Sequence, residues 1–299
     1  MIKLDGIATF VAIAEAGSIS EAARRLRLSK SVVSDRLTDL ERTLGANLVH
    51  RSTRKLTLTE DGVAFLERAS RIAYEVKEAA ADMSERRGSL IGPLRISAPV
   101  TFGRMHLGPA IYPFIAKHPG IELTLDLDDR RVDAGAGGYD AVVRHGPIVD
   151  SRLVAWRLAR SRRVLVASQE YLTRRGAPAS MADLDHHVGI FYANRGAGDW
   201  RFPDSNGATI VRGRAALVVN NGDMMRDATL AGIGIALLPT FIVGDDLKNG
   251  RLRLVDVGMR PEEEFIYVAH PDGRRPSVKL RAFADCLRGA FGDPAYWER

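Results

Sequence analysis

Lys30, Ser31, Ser34, Asp35 and Thr38 are hydrogen-bonding side chains that stay clear of an apolar stripe running between them. Val33, Leu37, Leu40 and Leu44 fall at i, i+4, i+7 and i+11, the spacing of one buried helical face. The polar set is left on the other faces near the start of that helix, with Val32 beside it and Ser29 placed to cap it. Hydroxyls, a lysine and a carboxylate in that position can hydrogen-bond to base edges in a DNA major groove. Arg51, Arg54 and Lys55 follow in a Thr-rich stretch, where the fitting chemistry is contact with phosphate or the minor groove.

Such groups need a scaffold that presents them together. Between Ile19 and Thr59 the chain supplies two short amphipathic segments either side of a tight turn at Arg27-Leu28-Ser29. Ala22, Ala23 and Leu26 form the packing face of the first segment, and the small alanines permit close helix approach. The basic stretch after the second segment suits a two-stranded wing, completing a helix–turn–helix arrangement. From Glu21 to Thr59 there are nine Lys and Arg against four acids, a local net of +5 suited to phosphate. Arg24, Arg25 and Arg27 are either part of that surface or a solvated helix face.

The three matching stretches are AEAGSISEAARRL (Ala14 to Leu26), LSKSVVSDRLTDLERTLGANL (Leu28 to Leu48) and HRSTRKLTLTEDG (His50 to Gly62). In these the chain resembles the LysR-type transcriptional regulators, and the resemblance continues over nearly its whole length. Two positions depart from it: Lys30 stands where the family usually has glutamine, and Asp35 where it often has a basic or polar residue. An acid there either faces a cytosine amino group or points away from the backbone. No family base preference is therefore carried across those two positions.

The resemblance implies an α/β protein in three parts. These are a winged helix–turn–helix at 1–59, a linker and dimerisation helix at 60–88, and an effector-binding regulatory domain at 89–299. The last should be two-lobed and similar to periplasmic binding proteins, with lobe I at about 92–163 and 268–299 and lobe II at about 164–267. Expected partners are double-stranded DNA as a palindrome, a small-molecule effector, and a second copy in a homodimer or homotetramer. RNA polymerase is a further candidate partner. No cofactor, metal or membrane is implied.

The chain's own patterning agrees with these divisions. From Glu60 to about Arg87 there is no proline and only Gly62 interrupts a helical pattern. Val63, Leu66, Ser70, Ala73, Lys77 and Ala80 sample one seam, thickened by Ile72, Val76, Ala79 and Met83. Gly88-Ser89-Leu90-Ile91-Gly92-Pro93 breaks it. Strands are then expected at Leu94 to Ala98, Ile121 to Leu127, Ala141 to Arg144, Val164 to Ala167, Ala215 to Val219, Ile235 to Leu238 and Phe265 to Ala269. Helices are expected at Met105 to Lys117, Asp223 to Leu230 and Val278 to Phe291, an alternation typical of α/β domains.

Ligands in such domains meet strand ends and helix N-termini. Carried over residue by residue, the resemblance gives Pro99, Val100, Thr101 and Phe102, then Arg144, His145 and Gly146, then Asn221 and Gly222. Thr101, Arg144 and the Asn221-Gly222 backbone favour a small anion, most simply a carboxylate, with Val100 and Phe102 available for apolar contact. The plainer alternatives are that Thr101 and Asp223 only cap helices and that Arg144 only pairs with Asp140. His145 is an ordinary polar residue or a ligand or pH-sensing group.

Composition excludes several classes. A net charge of +6 over 299 residues is modest, so nucleic-acid binding should be local. A single cysteine, Cys286, excludes an internal disulfide and a cysteine-based metal cluster, and reads as a buried, inert thiol. The apolar run Ala8 to Ala14 is at the lower limit of length for a secretory signal, has Asp5 in the supposed basic end, and follows helical spacing with Leu4, Ile7 and Val11. No run approaches the ~18 apolar residues of a membrane span, so a cytoplasmic location is expected. Gly232-Ile233-Gly234 lacks the third glycine of a dinucleotide loop. No catalytic constellation is present, so the expectation is not an enzyme. The rival is a small-molecule-binding protein or enzyme with a basic N-terminal assembly module, or a DNA-binding protein with a vestigial cleft. Trp200 is expected to pack in a core.

Overall fold

The computed structural model describes residues 1–51, 56–85, 90–130, 134, 138–148, 150–204, 207–211, 213–272 and 276–299. They fall into two compact units, Met1–Pro93 and Leu94–Arg299.

In the first unit, α1 (Leu4–Ala16), α2 (Ile19–Leu26) and α3 (Lys30–Leu44) are set by local signals. Ser18 caps α2 by accepting the Glu21 N–H at 3.0 Å, and Ser29 caps α3 through the Val32 N–H at 3.3 Å. Gly17 and Gly45 end α1 and α3 in the left-handed conformation. Arg27 ends α2 at φ 54°, an unusual setting for a residue with a Cβ. Ile7, Phe10 and Ile13 of α1 bury against Ala22 and Ala23 of α2 and Val33, Leu37 and Leu40 of α3. Leu44 packs at the margin of this cluster, so the expected stripe is the packing face. Each such fully buried aliphatic side chain contributes about 1.5–3 kcal/mol.

The wing consists of β1 (Val49–Arg51) and β2 (Leu56–Leu58), paired antiparallel. Buried Glu41 anchors it, its carboxylate accepting the Leu48 and Val49 N–H groups at 2.8 and 3.3 Å. Thr59 starts α4 (Glu60–Glu85), accepting the Gly62 N–H at 2.9 Å while donating to the Asn47 carbonyl at 2.7 Å. Gly62 is required there: a Cβ would lie 2.0 Å from the Leu48 carbonyl oxygen.

The α4 seam divides differently from the sequence expectation. Phe65, Leu66, Ala69 and Ala73 pack into the core of their own unit. Ile72 and Val76, one turn apart, remain 39% and 46% exposed, and Val63 is 61% exposed on the opposite side of the helix. Part of the expected break at Gly88 to Pro93, residues 88–89, lies outside the described residues.

The second unit holds two five-stranded sheets. Lobe I orders β4 (Ile121–Leu127), β3 (Gly92–Ala98), β5 (Ala141–His145), β14 (Phe265–Pro271) and β6 (Leu153–Arg160). Lobe II orders β11 (Arg214–Val219), β8 (Val188–Tyr192), β12 (Ile235–Pro239), β7 (Arg163–Ser168) and β13 (Leu252–Leu254). A small hairpin, β9 (Arg201–Asp204) with β10 (Gly207–Ile210), extends lobe II. The chain crosses twice, at residues 161–162 and 255–264.

In lobe I the helical run starts at Val100, not Met105. It comprises α5 (Val100–Phe102), a π turn (Gly103–Leu107) and α6 (Gly108–Lys117). Gly103 and Gly108 interrupt the apolar periodicity, which conceals this start in the sequence. α10 (Val278–Phe291) packs against α6 through Phe283 and Phe114, ring centroids 5.9 Å apart. Lobe II carries α7 (Gln169–Arg175), α8 (Gly222–Leu230) and α9 (Thr240–Lys248). Trp200 is 1% exposed in the lobe II core beside Phe202, Leu237 and Tyr171. Cys286 is half-buried and burial raises its thiol pKa, keeping it in the unreactive protonated form. The glycine-rich stretch of residues 131–137 lies almost wholly outside the described residues.

Candidate functional site

The candidate nucleic-acid face gathers on one helix start. Ser29, Lys30, Ser31, Val32, Asp35 and Thr38 are exposed and Ser34 is half-buried, all clear of the packed stripe. Ser29 and Ser31 share a hydrogen bond between their hydroxyls at 2.9 Å, and Thr38 Oγ1 donates to the Ser34 carbonyl at 3.0 Å. Arg24 and Arg25 are both paired with Glu21 on an exposed helix face. Among the wing cations, Arg54, Lys55 and the side chain of Arg51 lie outside the described residues.

The second candidate site lies between the two lobes of the second unit, a cavity of about 120 Å³. Its lobe I wall is Pro99, Thr101, Asp129, Arg144 and His145, all at or just beyond strand ends. From lobe II come Tyr192, Asn194, Arg195 and Gly222, with Met225 and Phe241 among its apolar lining. A space of this size is close to the ~150 Å³ cavity that houses benzene in an engineered protein.

Of the residues expected from sequence, Pro99, Thr101, Arg144, His145 and Gly222 line the cavity. Val100, Phe102, Gly146 and Asn221 do not, for different reasons. Phe102 is fully buried, its ring 5.2 Å from Phe241 and 5.6 Å from Phe291, so it is core and not ligand surface. Val100 contributes its N–H to Asp129 Oδ1 at 2.9 Å. Asn221 caps α8, accepting the Met224 N–H at 3.0 Å, and donates from Nδ2 to Asp129 Oδ2 at 3.2 Å. Gly146, at φ 88°, sits so close to the Arg195–Glu264 pair that a Cβ would lie 2.8 Å from the guanidinium.

The charges in and around this cavity are mostly matched in pairs. Arg195 forms a two-pronged ion pair with Glu264, both contacts at 2.7 Å. Arg163 is buried and donates to Asp199 and to the Leu237 carbonyl, the latter at 2.9 Å. Arg144 differs. Its guanidinium donates to the Val143 carbonyl at 3.0 Å, the Ser97 hydroxyl at 3.2 Å and the Arg130 carbonyl at 3.4 Å, all neutral acceptors. The pairing with Asp140 considered from sequence does not occur, because Asp140 accepts the Arg95 N–H at 2.7 Å. Burial pulls the Arg144 pKa down, opposed by Asp128 and Asp129.

His145 ends β5 and packs against both crossing segments. Its Nδ1 lies 3.2 Å from Glu264 Oε2 and its Nε2 3.0 Å from the Ser161 carbonyl, next to the first crossing segment. Burial pushes its pKa down to about 4 against the raising pull of Glu264. A group at that value does not titrate between pH 6 and 8, which removes the ordinary basis for a pH sensor. Burial would raise the Glu264 carboxyl, but His145 and Arg195 outweigh it and hold it below its usual value.

Sequence reasoning missed Asp129, Tyr192, Asn194 and Arg195. Asp129 follows the end of β4, a position where the strand-end rule could have found it. Tyr192 ends β8 and Asn194 and Arg195 follow it, and this five-residue run between His186-His187 and Ala193 carried no expected strand.

Among the described residues no helix is long and apolar enough to cross a membrane, and no His, Cys, Asp and Glu group could hold a metal ion.

Residues 4–63 match the family described as bacterial regulatory helix-turn-helix protein, lysR family, and residues 87–292 match the LysR substrate binding domain. An uncharacterised HTH-type transcriptional regulator of Haemophilus influenzae is 31% identical, covering 94% of this chain and 98% of its own length. The HTH-type transcriptional regulator PtxR of Pseudomonas aeruginosa is 32% identical, with coverage of 97% and 94%. Among solved structures, CrgA, a LysR-type transcriptional regulator from Neisseria meningitidis, is 29% identical at a TM-score of 0.60, covering 95% of this chain and 97% of that one. Both units, the helix–turn–helix and the two-lobed sensor, thus have family matches, and the chain belongs to the LysR-type transcriptional regulators.

Proposed function

We propose that this regulator reads an imperfect palindrome as a dimer through α3 and takes a small organic acid between the sensor lobes. Lys30, Ser31, Val32, Ser34, Asp35 and Thr38, with Ser29 at the helix cap, present the base-reading surface. Arg51, Arg54 and Lys55 supply phosphate or minor-groove contacts from the wing. The exposed Ile72 and Val76, one turn apart on α4, support pairing of two subunits through that helix, and tetramers assemble from such dimers. Effector and DNA are coupled by rearrangement of subunits, with RNA polymerase as a downstream partner.

The observation that carries the effector class is Arg144. A half-buried guanidinium lining a small, partly apolar cavity, whose hydrogen bonds among the described residues go to the neutral Val143, Ser97 and Arg130 acceptors, is suited to a ligand carboxylate. Phe241, Met225 and Tyr192 supply surface for an apolar body. A thermal-shift screen of the full chain against organic acids, neutral compounds and cations tests this. Acids should raise the melting temperature and Arg144→Met should abolish the response. Hits confined to cations, or an unchanged response in Arg144→Met, would overturn the assignment.

A further inference from the structure

Asp129 bonds both to its own helix start and to the opposing lobe. Its Oδ1 accepts the Val100 N–H at 2.9 Å, a contact within lobe I. Its Oδ2 accepts Asn221 Nδ2 at 3.2 Å, and its backbone carbonyl accepts Asn194 Nδ2 at 2.8 Å. Asn221 and Asn194 belong to different elements of lobe II, the cap of α8 and the turn after β8. One residue of lobe I therefore joins its own helix start to two separate points on lobe II.

The arrangement is reciprocated. Asp223, on the first turn of α8, accepts Thr101 Oγ1 at 3.2 Å and the Arg104 guanidinium at 2.6 Å across the same divide. Arg104 is largely exposed, so screening weakens that arm. The Asp129 arm lies in the cavity wall, beside the space that Arg144 also lines. Donors that the sequence assigned to an effector at the Val100–Thr101 helix start are thus already satisfied by carboxylates of the protein, and the Asn221 side-chain amide is held by one as well.

We propose that Asp129 is an internal counter-ligand: its carboxylate holds the lobes together by occupying donors that an entering acid would compete for. This rests on the organic-acid reading of the same cleft. A ligand carboxylate seated at Arg144 shares a cavity of about 120 Å³ with Asp129. Two like charges in a poorly hydrated space repel strongly, so the ligand either displaces Asp129 from Asn221 or binds weakly. Displacement releases Asn221, whereas Asn194 keeps its bond to the Asp129 backbone carbonyl. Binding is thereby coupled to the lobe-to-lobe setting, because the ligand interacts differently with the latched and released forms. Asp129 also sets selectivity, since a monoanion meets one opposing carboxylate and a dianion meets it twice.

Hydrogen exchange on the full-length protein without ligand tests the latch, and propionate and benzoate binding by calorimetry tests the competition. Asp129→Ala should speed exchange at least tenfold in lobe II around residues 221–226, since the backbone carbonyl that holds Asn194 survives the substitution. Asp129→Asn keeps an oxygen for Val100 and should produce a smaller change. Faster exchange confined to residues 98–102 and 127–130 would reduce Asp129 to a helix cap and overturn the proposal. In the ligand arm, Asp129→Ala should bind at least one of the two acids tenfold more tightly than the parent, and equal affinities would overturn the counter-ligand role. If neither acid binds parent or variant, the organic-acid reading fails for these probes while the exchange result still decides the latch.

Discussion

Thr101 Oγ1 donates to Asp223 Oδ2 at 3.2 Å, tying the first helical turn of lobe I to the first turn of α8 in lobe II. The hydroxyl that sequence reasoning offered to an effector already has a partner inside the protein. Thr101→Val removes this bond at nearly constant volume, and Asp223 keeps Arg104, so the loss should be modest, roughly 0.5–1.5 kcal/mol. Calorimetric unfolding of the full chain measures it. The variant should retain a reduced acid-dependent shift, whereas Arg144→Met should retain none. An equal loss in both variants would return the carboxylate contact to Thr101.

Gly62 fixes how the linker helix leaves the wing. A Cβ there would sit 2.0 Å from the Leu48 carbonyl oxygen, which belongs to backbone and cannot rotate aside. Gly62→Ala should therefore destabilise the first unit by roughly 2 kcal/mol or more. Urea unfolding of the full chain, followed at helical signal, should show an early transition absent from the parent. Coincident curves would mean that α4 can shift its start without cost.

Arg27 holds a left-handed conformation at φ 54° between α2 and α3. Glycine adopts that setting without a Cβ penalty, so Arg27→Gly should stabilise the protein by about 0.5–1 kcal/mol. Arg27→Val should do the reverse, because a β-branched side chain fits that conformation poorly. Melting temperatures of the pair give the answer, and a loss in both would assign Arg27 a packing role.

His145, buried and pushed down to about 4, gives a pH dependence of defined sign. The unfolded chain binds a proton near pH 6.5 that the folded chain refuses until about pH 4. The stability His145 contributes is thus present above about 6.5 and is lost as the pH falls toward 4, by roughly 1–3 kcal/mol. The window should narrow in His145→Gln, measured by chemical unfolding at pH 7, 6, 5 and 4. Glu264, held below its usual value, adds its own loss at lower pH still, as protonation breaks its pairs with His145 and Arg195. A parent protein equally stable at pH 7 and pH 5 would contradict this.

How far the sequence could be read depended on how local the determinants are. The α3 stripe of Val33, Leu37, Leu40 and Leu44 and its Ser29 cap are set within about four residues, and both were legible. Helix Val278–Phe291 was legible for the same reason, with Ser277 capping it through the Leu280 N–H at 3.3 Å. The start at Val100 was not, because Gly103 and Gly108 break the apolar pattern and a π turn absorbs the irregularity. The place of Asp129 after β4 was open to the strand-end rule, but its bridging contacts were not, since its partners lie at 100, 194 and 221 and meet only when both lobes are assembled. Phe102 was misjudged as ligand surface because its partners, Phe241, Phe291 and Trp297, are equally remote in sequence.

The central claim is that α3 presents a base-reading surface, and DNA binding measured against salt addresses it most directly. Fluorescence anisotropy would compare the region upstream of the protein's own gene with scrambled DNA at several salt concentrations. The parent should prefer the upstream region, and its affinity should fall linearly in log–log form as phosphate contacts release counterions. Lys30→Ala and Ser34→Ala should each reduce that preference by about 1–3 kcal/mol, with helical signal and melting unchanged. Salt-independent binding without sequence preference, or full preference retained by both variants, would contradict the account.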